Sequence, residues 1–228
     1  IQHISQLDVL WDIFVSKQKT YTECVCIIAK IIKPNIIHKF KSGYFGLKQL
    51  GTNPIELTKK YYQKNVLSNI DNFVLTEKID GIRSMIILYP KKGECHIINK
   101  NYKYMDIPIG KNEIIILDTE EYNGKYYVFD VIWYDQNVSI FPFVGNDDSK
   151  NDRMCYVEKS VALYDFLHMK HFINLNQNDY KNQIMEFYKL SNTFPYETDG
   201  FIFISREDNY NNTKNFKWTP IEKRSEEH

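Results

Sequence analysis

Several things are missing from this 228-residue chain, and each absence narrows what it can be. It has no net charge: Lys and Arg number 29, as do Asp and Glu, so a nucleic-acid partner would have to be held by a local basic surface. None of its four cysteines, Cys24, Cys26, Cys95 and Cys155, forms the paired CxxC spacing of a zinc site. Cys24 and Cys26 lie in an apolar run and read as buried free thiols, which fits a reducing compartment. No run approaches the ~18 apolar residues that a membrane-spanning helix needs, so no membrane partner is expected. The sequons Asn137-Val138-Ser139 and Asn211-Asn212-Thr213 have no secretory leader before them and read as accidental. Internal repeats and low-complexity tracts are also lacking. A chain that opens on Ile1 reads as a piece of a longer polypeptide.

What is present supports a folded domain, because a hydrophobic fraction of 43% is enough for a sizeable core. Residues 1–70 read as a mainly helical lead-in. Leu7, Leu10, Trp11 and Phe14 recur on one helix face, Thr22 to Ile32 suits a second helix, and Pro54 to Leu57 suits the start of a short one. Gly43, Gly46 and Gly51 break the stretch between. From Asn72 the texture becomes β-rich: Phe73 to Lys78, Ser84 to Tyr89, Glu94 to Asn99, Ile114 to Leu117 and Lys125 to Tyr134 read as strands. Asn123-Gly124 is a tight-turn signal. Tyr156 to Met169 and Asn178 to Leu190 read as amphipathic helices, and Gly200 to Ser205 and Asn215 to Trp218 as further strands. The absence of regular βαβ alternation implies an α+β fold with mainly antiparallel sheets.

The strongest chemical signal is Lys78-Ile79-Asp80-Gly81-Ile82-Arg83, between two strands. A lysine at a strand end can face a cleft, Gly81 allows a tight turn and close approach to a ligand, and Arg83 offers a fixed hydrogen-bonding fork for phosphate or ribose. For Lys78 to be a nucleophile its amine must be neutral, which at pH 7 costs about 4.6 kcal/mol from the reference value. Neighbouring cations lower that cost, and Arg83 and Lys217 are the candidates. The same six residues also suit a surface β-hairpin with a solvated lysine.

Lys78-x-Asp80-Gly81-x-Arg83 resembles the first motif of the covalent nucleotidyltransferases, which comprise mRNA-capping guanylyltransferases and ATP-dependent ligases. Four more segments resemble later motifs of that superfamily, in order: Leu117-Asp118-Thr119-Glu120, Tyr127 to Ile132, Thr198 to Phe203, and Asn215 to Pro220. Phe40 to Lys48 is similar to the segment before the first motif in capping enzymes of large cytoplasmic DNA viruses, the African swine fever virus type above all, with poxvirus enzymes more distant. The resemblance implies a nucleotidyltransferase (ATP-grasp-like) fold, in which two antiparallel sheets flanked by helices form a nucleotide cleft. It further implies one domain over 1–228, with a catalytic core over 71–220 and no C-terminal OB-fold.

It also implies roles. Lys78 would attack the α-phosphate of GTP to form a lysyl-N-GMP adduct, and the GMP would pass to the 5′-diphosphate end of RNA. Arg83 and Glu120 would hold the ribose, and Phe129 would stack on the base, although alternation along its strand would also place it in a core. Asp199 would bind Mg2+ or Mn2+, Lys217 would contact the α-phosphate, and Asp80 and Gly81 would shape the nucleotide-binding turn. Arg153 resembles a helix-start arginine of the family. Trp218 reads as packing, and His168 and His171 lack the other ligands of a metal site. Two departures stand out: Thr119 replaces a glycine, and Thr219 replaces a lysine for which Lys214 is the nearest substitute. Triphosphatase and methyltransferase domains in the same polypeptide, and a place in host cytoplasm or virion, follow from the viral resemblance. The competing readings are an ATP-dependent polynucleotide ligase and a non-catalytic module that keeps the fold.

Overall fold

The computed structural model describes residues 53–99, 102–145 and 151–219. The expected helices before residue 33, the glycines at 43, 46 and 51, the pair Cys24 and Cys26, and the segment Phe40 to Lys48 all lie outside the described residues. No described helix is long and apolar enough to cross a membrane.

Among the described residues, eleven strands form two sheets: β1 (Ile55–Glu56), β2 (Phe73–Ile79), β3 (Ile82–Tyr89), β4 (Glu94–Ile98), β5 (Tyr102–Asp106), β6 (Ile115–Tyr122), β7 (Lys125–Tyr134), β8 (Leu167–Met169), β9 (Phe172–Asn174), β10 (Thr198–Ser205) and β11 (Asn215–Trp218). The first sheet has the order β1-β11-β10-β2-β9 and the second β5-β4-β3-β6-β7-β8. Pairing is antiparallel except for β1 with β11 and β7 with β8. The α+β reading with mainly antiparallel sheets therefore holds.

Strand alternation assigns each residue to a face. On β2, Phe73 and Leu75 enter a core that also contains Val66, Ile70, Phe187, Phe201, Phe203 and Phe216. That core lies between the first sheet, the helical stretch 59–72 and helix α2 (Tyr180–Ser191). Thr76 and Lys78 take the opposite face. On the second sheet, Ile86, Leu88, Ile97, Ile115 and Leu117 pack with Tyr156 and Val157 of helix α1 (Arg153–Val161). Arg83, Met85, Asp118 and Glu120 thereby turn to the other face, in the register Arg83–Glu120 and Met85–Asp118. Two helix-backed sheets thus turn their other faces, which carry Lys78, Arg83 and Glu120 among apolar residues, to a shared cleft.

Two local expectations are corrected, and one rival reading is set aside. The apolar pattern of Tyr156 to Met169 is not one helix: α1 ends at Val161, and Leu167–Met169 pairs in parallel with β7. An apolar run carries no mark of whether an open strand edge lies within reach, and here that edge wins. Pro54 to Leu57 does not begin a helix either; Ile55–Glu56 pairs with β11, and the helix starts after Thr58, whose Oγ1 accepts from the Tyr61 N–H at 3.2 Å. Finally, β2 and β3 do not form a hairpin, because they belong to different sheets.

Glycines mark two close approaches. At Gly81 a Cβ would lie 2.5 Å from the Glu121 carbonyl oxygen and 2.8 Å from the Glu120 Cγ, so the residue is needed for contact with β6. Gly200 has φ 114° beside the register shift in β10, and a Cβ there would collide with the Trp218 carbonyl. Gly124 has φ 77° in the Asn123-Gly124 turn, with open space around it. Gly200→Ala should therefore lose more than about 3 kcal/mol of stability. Gly124→Ala should lose only about 1 kcal/mol, and urea unfolding of the two variants side by side checks the contrast.

Candidate active site

A cavity of about 260 Å³ opens between the sheets, lined by side chains that include Thr76, Lys78, Asp80, Arg83, Glu120, Phe129 and Lys170. Lys78 and Arg83 reach it from opposite walls, since the Asp80-Gly81 link carries the chain from the first sheet into the second. Asp80 is exposed, and its N–H donates to the Glu197 carbonyl at 3.1 Å, which tethers the link to the segment leading into β10.

The Lys78 ammonium is ion-paired with Asp199, at the start of β10. Arg83 makes a side-on pair with Asp118, Nε to Oδ1 at 2.9 Å and Nη2 to Oδ2 at 2.5 Å. Burial works against the Arg83 cation, but Asp118 more than offsets it and holds the guanidinium firmly protonated. Phe129 lies at the irregular stretch where β6–β7 register shifts from Asp118–Asp130 to Thr119–Val128. Its ring lies in the cavity wall between two cations, 5.9 Å from the Arg83 guanidinium and 5.6 Å from the Lys170 ammonium.

Lys170, between β8 and β9, was not singled out from the sequence. It is 6% exposed, and burial lowers its ammonium pKa against the opposing pull of Glu77 and Glu120. The run Leu167-His168-Met169-Lys170-His171-Phe172-Ile173 mixes apolar and basic residues, so no local pattern marked this lysine for burial. Its backbone neighbourhood is pinned by Glu77, which is fully buried. The Glu77 carboxylate accepts from the His171 N–H at 3.1 and 3.2 Å and from the Tyr196 hydroxyl at 2.6 Å. Burial pushes the Glu77 pKa up, but hydrogen bonding at His171 and Tyr196 together with the charge of Lys170 brings it below the usual range.

Lys217 shares a face with its cross-strand partner Ile202, which lines the cavity, yet its ammonium is 3.1 Å from Glu56 and it is not among the cavity-lining residues. Lys170, by contrast, lines the cavity. Lys214 is exposed and also lies outside the lining. Thr119 fits a regular strand: it is buried, and its hydroxyl donates to the Ser84 carbonyl at 2.8 Å. Arg153 begins α1, fully buried and paired with Asp130 at 2.7 Å. Trp218 stacks on Phe201 with centroids 5.8 Å apart, and His168 and His171 pack on Tyr127 and Phe194. Among the described residues no three His, Cys, Asp or Glu side chains cluster as a metal cage. Asp199 alone suits a cation held mainly by substrate phosphates, which is how Mg2+ commonly binds.

Glu120 is a strained acid. Burial raises its pKa to about 7, opposed by Lys170 and reinforced by Asp118, and no hydrogen bond among the described residues reaches its carboxylate. Its folded-state value lies above its unfolded one, so the folded protein binds this proton more tightly, and stability falls as pH rises from about 4.5 through about 7. Glu120→Gln should therefore be more stable than the parent at pH 8, by up to about 3 kcal/mol. The difference should vanish below pH 4.5, and urea unfolding at the two pH values tests this.

No family model matches the chain. Among solved structures, one described as Pmar-Lig_PreS3 is 14% identical, covering 86% of this chain and 50% of its own, with a TM-score of 0.47. A structure from work on Lig E DNA ligases is 13% identical, covering 73% and 69%, with a TM-score of 0.39. The mRNA-capping enzymes of two African swine fever virus isolates, from a South African tick and a Namibian warthog, are each 27% identical over 194 residues. The match covers 81% of this chain, which spans 21% of the length of these curated relatives. Over most of its length, the chain is similar to about a fifth of a viral mRNA-capping enzyme.

Proposed function

We propose that this chain is the guanylyl-transfer part of an mRNA-capping enzyme, built on a nucleotidyltransferase (ATP-grasp-like) fold. The reading rests on one observation: Lys78, Arg83, Glu120 and Phe129, spread over four strands, line a single cavity. The relatives named mRNA-capping enzyme support it from a separate direction.

In this reading the Lys78 Nζ attacks the α-phosphorus of GTP. An N–P bond forms, the bond from α-phosphorus to the bridging oxygen breaks, pyrophosphate departs with that electron pair, and the nitrogen sheds one proton to solvent, which it regains when the N–P bond later breaks. A terminal oxygen of the 5′-diphosphate RNA then attacks the same phosphorus, and the N–P bond breaks to return the amine. Attack requires the neutral amine, so the Lys78–Asp199 pair must open first. Arg83 and Glu120 would hold the ribose, and Phe129 would stack on the base between its two flanking cations. Asp80 and Gly81 would shape the turn beneath the phosphates. Asp199 would hold Mg2+ or Mn2+, which when bound screens the phosphate charge. Lys217 would reach the α-phosphate only after leaving Glu56.

Lys170 favours guanine over adenine. A buried ammonium has donors and no acceptor, so it suits the guanine O6 carbonyl and clashes electrostatically with the adenine N6 amino group. Other capping activities, a triphosphatase or a methyltransferase, belong to this proposal as parts of a longer protein.

Incubation with α-labelled GTP or ATP and a divalent cation tests the assignment. A covalent adduct with GTP and none with ATP is expected, whereas adenylylation alone would defeat the capping reading. Lys78→Arg should give no adduct, because a guanidinium stays protonated. Lys170→Met should lower labelling by GTP about tenfold, a loss on the scale of one charge-assisted hydrogen bond, and leave ATP unaffected.

A further inference from the structure

Behind the cavity wall lies a second arrangement that the proposed chemistry does not use directly. Asp118 on β6 and Asp130 on β7 stand opposite each other in the ladder, both buried. Two facing carboxylates repel, and each is answered by its own arginine: Arg83 for Asp118, and Arg153 for Asp130 at 2.7 and 3.2 Å. Between the two pairs stands Tyr210, from the loop joining β10 to β11, 3% exposed. Its hydroxyl donates to Asp118 Oδ2 at 2.7 Å and accepts from Arg83 Nη2 at 3.4 Å. Its ring centroid lies 6.0 Å from the Arg153 guanidinium.

The loop that carries Tyr210 is itself anchored. Arg153 Nη1 donates to the Asp208 carbonyl at 3.0 Å, and the Tyr210 N–H donates to the Ser139 carbonyl at 2.9 Å. The tyrosine therefore has little freedom to leave the carboxylate. With Nε and Nη2 of Arg83 engaged by Asp118, the guanidinium plane is set, and among the described residues nothing bonds to its Nη1. That group remains for a ligand in the cavity that Arg83 lines together with Glu120.

We propose that Tyr210 is a positioning residue for nucleotide sugar recognition: by holding Asp118 it sets the Arg83 guanidinium at the ribose hydroxyls, and so governs selection of ribonucleotides over 2′-deoxyribonucleotides. The inference rests on the nucleotide site proposed above. A residue of the β10–β11 loop, which belongs to the first sheet, thereby tunes a contact made from the second. A merely structural tyrosine would support stability and leave sugar selection alone.

The test is equilibrium binding of the α,β-methylene analogues of GTP and 2′-deoxy-GTP, which prevent adduct formation, followed by tryptophan fluorescence on the full chain. The parent should bind the ribonucleotide about tenfold more tightly, the scale of one hydrogen bond to a charged donor. Tyr210→Phe should weaken ribonucleotide binding and leave the 2′-deoxy form nearly unchanged, bringing the ratio to within about twofold. An unchanged ratio in a folded Tyr210→Phe chain overturns the proposal, whatever happens to its unfolding midpoint. Should that variant not fold, Asp118→Asn, which keeps an acceptor for Tyr210 but weakens the hold on Arg83, must lower the same ratio, and an unchanged ratio there overturns it equally. A parent that binds neither analogue overturns the nucleotide site and this inference with it. A parent that selects ribose as strongly as the variant overturns the Tyr210 role alone.

Discussion

The rest of the site depends on a two-residue passage. At Asp80-Gly81 the backbone leaves one sheet and enters another, passing so close to β6 that a methyl group at position 81 would meet the Glu121 carbonyl and the Glu120 side chain. That contact fixes how far Lys78 stands from Arg83, and it fixes both relative to Glu120. A hairpin would have placed the two cations on neighbouring strands of one surface. The crossing places them on facing walls of the cavity.

Charge is then managed by burial in pairs. Removing ionised groups from water is costly, and a lone buried charge is not tolerated. Arg83 with Asp118 and Arg153 with Asp130 satisfy each other through side-on contacts, and Glu77 is neutralised by hydrogen bonds and the nearby Lys170. Even so, burial keeps the Asp130 pKa raised in spite of its arginine. Breaking such a pair by removing one partner typically costs about 3–5 kcal/mol, which makes the network a rigid frame. Glu120 differs: it stands in the same low-dielectric setting without a hydrogen bond to its carboxylate among the described residues. An acid kept in that condition is a cost to stability that the paired acids avoid.

The irregularities in the sheets serve the same end. The register shifts between β6 and β7 bring Asp130 opposite Asp118 and leave Phe129 facing the cavity, outside the hydrophobic cores. The shift in β10, made possible by Gly200, sets Asp199 against Lys78. Bulges of this kind re-aim side chains that a regular pleat would send elsewhere. They also explain how strands with ordinary alternation in their cores change character where the cleft begins.

The sequence by itself determined which segments are strands along most of β2 to β11, the tight turn at Asn123-Gly124, and Lys78, Asp80, Gly81, Arg83, Glu120 and Phe129, which the fold gathers around the cavity. The strands follow from local alternation, the turn from its residues, and the site residues from the order of the motifs along the chain. Only the tertiary structure decided that β2 and β3 part into separate sheets, that Leu167–Met169 leaves the helix to pair with β7, and that Lys170 supplies the cavity cation while Lys217 is bound to Glu56. It also decided that Tyr210 reaches Asp118 across 92 residues of chain. The reason is that period and propensity set which face a side chain takes, whereas its partner is set by packing between segments far apart in sequence, an energy that no local pattern records.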